Sequence, residues 1–178
     1  MSLSHPAPTL PTEPPAGARA RPAVQNAGRL VLLGTPSPPP VAVLPLLHGD
    51  VVLLERFRSQ TRTWQWEILR ALGVHDVTGT STAARQVHDQ LGARATDLTG
   101  LGDVHLGPVP RSGAVLLYAA RIDALREPAH GSRARTVHVA AFAEAEEMVL
   151  TGQITDAVSI AALFRARLAA LSGENPHA

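Results

Sequence analysis

The residues able to do acid–base, metal or phosphate chemistry gather between Arg56 and Gly92. Glu67 follows two tryptophans, Trp64 and Trp66. His75 and Asp76 sit in a Gly/Thr-rich stretch. Arg85, Gln86, His88, Asp89 and Gln90 crowd one short segment. A carboxylate such as Glu67 or Asp89 can ligate a hard divalent cation, which wants charged oxygens and keeps waters. A histidine such as His75 or His88 titrates near neutral pH and could run acid–base chemistry without a metal. Arg56, Arg58, Arg62 and Arg70 offer guanidinium groups that match phosphate bidentately. Spacing limits these options. Successive residues on a helix diverge by about 100°, so His88 and Asp89 make no natural chelating pair. Arg85 and Asp89, four apart, share a face and can pair. Each of these residues also has a plainer reading, as a solvated polar group on a loop, a helix or a hairpin.

What the chain lacks excludes other chemistry. Its 178 residues fit one domain with tails. They are 45% hydrophobic and 17% charged, enough to bury one core. Only 3% are aromatic, so aliphatic residues and alanine must fill that core. A net charge of +1 argues against a nucleic-acid partner held by phosphate attraction. There is no cysteine, which removes disulfides, thiolate metal sites and a thiol nucleophile. There is no lysine, which removes Schiff-base chemistry and a P-loop. Ser112 lies in Arg-Ser-Gly, outside any Gly-x-Ser-x-Gly elbow. No stretch approaches the roughly 18 apolar residues of a membrane helix, and no signal peptide is visible. The expectation is a soluble, cytoplasmic protein with no membrane partner.

The elements that must position these residues follow from pattern. Residues 1–24 are rich in proline, alanine and glycine and read as a disordered tail; 25–172 form the folded domain and 173–178 a flexible end. Arg29 to Leu33 is a short apolar strand ended by Gly34. Val41–Leu47 and Val51–Glu55 flank His48-Gly49-Asp50 and predict a β-hairpin. Trp64 to Leu69 predicts a further strand, its two tryptophans on one face in the core. A helix follows, capped by Thr80 or Ser81, with Ala84, Val87 and Leu91 inward and Gly92 as its stop. Leu98–Leu106 and Gly113–Ile122 predict strands joined by a Pro108/Pro110 turn, and Arg135–Phe142 another. A helix over Ala143–Leu150, with Glu144, Glu146 and Glu147 solvated, ends at Gly152. Asp156 caps a last helix with an apolar stripe of Ile160, Phe164 and Leu168. This order predicts a mixed α/β fold with a largely non-parallel sheet.

The segment Trp-Gln-Trp-Glu-Ile-Leu-Arg-Ala-Leu-Gly, with Ala83-Ala-Arg-Gln-Val-His-Asp-Gln-Leu-Gly-Ala93, resembles the Nudix hydrolases, in particular the ADP-ribose pyrophosphatase branch. That family shows W-E-I-P-A-G on a strand and the box G-x5-E-x7-R-E-U-x-E-E-x-G-U, with U aliphatic. Glu67-Ile68, Arg85, Val87, Gly92 and Ala93 match it without insertion or deletion. Glu55-Arg56-Phe57-Arg58 resembles the family's opening hairpin, and 137–168 its closing strand and helices. The resemblance implies a Nudix-type α/β/α sandwich with a mixed sheet. It implies a nucleoside-diphosphate-like small molecule as ligand. It also implies a homodimer paired through N-terminal strands, which would cover the edge of Arg29–Gly34.

The family's metal-binding letters are mostly replaced. Its box glycine is Ala71 here, its loop glutamate is Val77, and its three helix glutamates are Gln86, Asp89 and Gln90. In the family those glutamates hold magnesium or manganese against a diphosphate. Glutamine supplies no charge, so the resemblance implies weak or absent magnesium-dependent hydrolysis. No cofactor is expected, with magnesium or manganese only if Asp89 keeps a metal bond. The residual catalytic candidates are Asp89, His88 and Glu67, and Arg56 and Arg58 are candidate ligand-binding groups. Glu127 is the only acid in the loop Arg126–Arg135, where the family's ADP-ribose enzymes often carry a base. Three classes remain: a pyrophosphatase-like enzyme with a degenerate box, a non-hydrolytic nucleotide-binding or regulatory module, and an enzyme using metal-independent acid–base chemistry in the same pocket.

Overall fold

Val41–Leu47 and Asp50–Arg58 form strands β1 and β2, joined by a His48-Gly49 turn with both residues at positive φ. That backbone suits a tight two-residue hairpin. The two strands pair only at Leu46↔Val51 and Leu47↔Asp50, then part company. Beyond the turn each takes its own neighbours. The computed structural model describes residues 38–59, 61–106, 114–127 and 134–169. The expected tail at 1–24, the strand at 29–34, the Pro108/Pro110 turn, Ser112 and the end at 173–178 lie outside them.

β2 is flanked antiparallel by β3 (Thr63–Glu67) and β7 (Thr136–Ala140). β1 is flanked by the short β4 (Leu69–Ala71), antiparallel, and by β6 (Val115–Ile122), parallel. β5 (Ala95–Val104) closes the far edge against β6. Pro45 falls where β4 has ended and β2 has not yet begun to pair with β1, a position that tolerates a missing N–H. Alternation along the strands sends side chains to two cores. Ala42, Leu44, Leu46, Val51 and Leu53 meet α2 (Phe142–Leu150) and α3 (Ala157–Leu168). Val41, Val43, Val52 and Leu54 meet Ala83, Val87 and Leu91 of α1 (Gly79–Leu91). The result is an α/β/α sandwich with a mixed sheet, as expected from the sequence. Among the described residues no helix is long and apolar enough to cross a membrane.

Several local expectations change. The expected strand Trp64–Leu69 is two strands, because the chain must cross from β2 to β1 where those strands diverge. At the crossing the Ile68 N–H donates to the buried hydroxyl of Ser159 on α3, at 3.1 Å. The cap of α1 is Thr78, whose hydroxyl accepts from the Ser81 N–H at 3.2 Å, so the helix starts before Thr80. Its inward stripe runs through Ala83 rather than Ala84, which is half-buried. Asp156 does cap α3, accepting from the Ser159 N–H at 2.9 Å. The expected stripe on α3 splits: Ile160 packs partly buried on the core, whereas Phe164 and Leu168 are 64% and 71% exposed. The buried face is Val158, Ser159, Ala162, Leu163 and Ala166, whose small residues let the helix lie close on the sheet.

Gly92 ends α1 at φ 59°, its N–H bonded to the His88 carbonyl at 2.9 Å. A Cβ there would stand 2.7 Å from the Arg126 carbonyl oxygen and 2.8 Å from that of Glu127. Left-handed backbone costs a non-glycine residue about 1–2 kcal/mol, and the carbonyls cannot rotate away as a side chain would. Gly92→Ala should therefore lose more than about 2 kcal/mol of stability in urea unfolding. A loss under about 1 kcal/mol would show that the Arg126–Glu127 backbone yields freely.

Candidate functional site

Register decides which side chains meet. Leu54 faces α1 and pairs with Glu67, so Glu67 also faces α1. Arg56 and Arg58, two and four residues along β2, emerge on that same face. Glu67 is completely buried. Its Oε2 accepts from Arg58 Nε at 2.9 Å and from the Arg58 Nη2 amine. Its Oε1 lies 3.5 Å from Arg56 Nε and accepts no hydrogen bond among the described residues. Arg56 Nη2 in turn donates to Gln90 Oε1 on α1 at 2.6 Å. Two guanidinium groups thus flank one carboxylate beneath the helix.

The candidates on α1 are spread out. Gln86 and Asp89 are half-buried, whereas Arg85 and His88 are exposed. Arg85 and Asp89 form no ion pair within 4.0 Å, so their shared face does not become a contact. Ala71 is half-buried at the end of β4. Val77, His75 and Asp76 lie in the exposed loop before α1. Of all the candidates, the fold brings together Glu67, Arg56, Arg58 and Gln90. Among the described residues no three His, Asp or Glu side chains are grouped to hold a metal ion. The donor set therefore does not fit a hard divalent cation, which needs several charged oxygens.

Two arginines lie elsewhere. Arg70 is ion-paired with Asp156, which ties β4 to the start of α3. Arg62 is in an exposed turn at φ 55°. Beyond the end of α1, Asp123 is held well below the usual carboxylate range. The main cause is the Arg126 guanidinium, at 3.0 and 3.1 Å, and the Arg94 and Ala124 N–H groups add to it. With Arg126 N–H on the Leu91 carbonyl at 3.0 Å, this turn fixes where α1 stops.

On the other face of the sheet, Trp64 is 46% exposed, so it is not the core residue expected. It packs on Phe57, ring centroids 5.6 Å apart, and under Arg135. Trp66 is half-buried against the α2–α3 core. His138 escapes sequence reasoning, and Glu144 reads there as solvated; the fold joins them at 2.8 Å. Glu146 pairs with Arg167 at 3.4 Å.

No family model matches the chain, and no curated protein sequence matches it. A solved structure described as the crystal structure of ADP compounds hydrolase superposes with a TM-score of 0.65. The two are 17% identical over 72% of this chain and 70% of the other. What the two share is the fold, a mixed sheet between helices.

Proposed function

We propose that the chain is a Nudix-like protein that binds a nucleoside-diphosphate-like small molecule beside α1, with magnesium-dependent hydrolysis weak or absent. The observation that carries this reading is the contact of Arg56 with Gln90. Gln90 stands where the family carries a metal-binding glutamate, and the group it meets is a guanidinium. A fixed cation built into the protein can offset diphosphate charge without a metal, and guanidinium geometry suits phosphate oxygens. Arg58, about a third exposed, adds donors beside it. The buried Glu67 holds both arginines in place. The likeness to a structure described as an ADP compounds hydrolase supports a ligand of this class.

The test is calorimetry with ADP-ribose, first in chelator and then in magnesium, with phosphorus NMR to follow products. Saturable binding that survives chelator, with no phosphate-ester product, is expected. Arg58→Gln should weaken it roughly 10–100-fold, since a charge-assisted hydrogen bond is worth about 1.5–3 kcal/mol. Magnesium-dependent turnover at roughly 1–1000 per second would overturn the reading.

A further inference from the structure

A cavity of about 330 Å³ opens on the side of the sheet away from α1, lined by Trp66, His138, Glu144, Glu147, Met148 and Gln153. The register puts it there. Trp66 lies opposite Glu55 and His138 opposite Leu53, both on the α2 face of β2. Their rings stand 5.6 Å apart at 54°. α2 passes over them, and Gln153 follows it in the next turn.

The lining has a definite chemical character. Trp66 and Met148 supply apolar surface. Glu144, Glu147 and Gln153 supply acceptors, and among the described residues no arginine lines the cavity. Glu144 is committed to His138. Glu147 forms no ion pair within 4.0 Å among the described residues. A hollow with an indole wall and a carboxylate at its mouth attracts positive charge on both counts, since tryptophan is the best aromatic partner for a cation. It repels anions.

We infer that this cavity is a second ligand site, for a small organic cation: an ammonium or amidinium group on a flat apolar body. The cationic head lies over the Trp66 indole and meets Glu147 and the Gln153 amide oxygen, and the apolar body rests on Met148. The site stands back to back with the Arg56–Glu67 cluster across β3, where Trp66 and Glu67 are neighbours in sequence on opposite faces. One binds cations and the other anions, so neither ligand competes for the other's place.

The test titrates the whole protein with benzylammonium, followed by tryptophan fluorescence and by amide NMR shifts. Saturable binding in roughly the millimolar range is expected for so small a ligand, with the largest shifts at Met148 and Gln153. Benzyl alcohol and benzoate, of the same shape without the positive charge, should bind at least about tenfold more weakly. Glu147→Gln, an isosteric change at an exposed position, should weaken benzylammonium by about threefold to tenfold and leave thermal stability unchanged. Equal affinity for benzyl alcohol, an unaffected Glu147→Gln variant, or shifts mapping to the α1 face would each overturn the assignment. So would tighter binding of an arginine-containing peptide than of any free cation, since that would make the site a peptide contact.

Discussion

Glu67→Ala should lower the unfolding free energy by about 3–5 kcal/mol, the range seen when one partner is removed from a buried ion pair. The loss has two sources. Glu67 is fully buried, so its removal leaves a void beneath α1. It also removes the carboxylate that Arg58 bonds and that Arg56 approaches at 3.5 Å, and Arg56 is only 14% exposed. Glu67→Gln keeps the volume and one acceptor but not the charge, and should cost about 1–3 kcal/mol. Urea denaturation measures both, with an unchanged denaturant slope as the sign that the native state is intact. A loss below about 1 kcal/mol for the alanine variant would mean that water reaches the cluster and screens it.

A metal site should form on α1 only when Arg56 is also changed. Gln86→Glu together with Gln90→Glu would raise the carboxylates on this face of α1 from one, Asp89, to three. Yet Arg56 already donates to Gln90 at 2.6 Å, and a carboxylate at that position would hold the guanidinium more tightly still. The double variant should therefore bind manganese weakly. Adding Arg56→Gln removes a competing charge-assisted bond worth about 1.5–3 kcal/mol, and manganese affinity should rise roughly 10–100-fold over the double variant. Manganese electron paramagnetic resonance reads this directly, without reference to activity. Strong manganese binding by the double variant alone would show that Arg56 is no obstacle. In the native background, Asp89→Asn tests that residue's own part: unchanged affinity for ADP-ribose would leave Asp89 out of the proposed site.

What could be read from the sequence was local. The hairpin turn, the Gly92 stop and the Asp156 cap depend on residues within a few positions; the last two stand, and the turn is where expected but two residues long, since Asp50 already pairs in β2. The break at Ile68 could not be read, because its cause is a hydroxyl on Ser159, far along the chain. The α3 stripe misled for a related reason. Ile160, Phe164 and Leu168 have the right period, but only Ile160 meets the core, because the helix presses Val158, Ser159, Ala162, Leu163 and Ala166 onto the sheet. At the candidate site, Glu67, Arg56 and Arg58 were legible as residue types. Their convergence was not, since it needs the β2–β3 register, and the Arg56–Gln90 contact joins residues from separate elements.

The parallel pairing of β1 with β6 carries a consequence for how the chain comes to its structure. Val41 must find Leu116, and Leu47 must find Ile122, across everything from the hairpin to β5. Closing so large a loop costs entropy before any pairing repays it. The β1–β2 turn can form early, but Ala42, Leu44 and Leu46 then wait with one flank open until β6 is made and docks. During synthesis this apolar strand is the segment most open to pairing with a wrong neighbour.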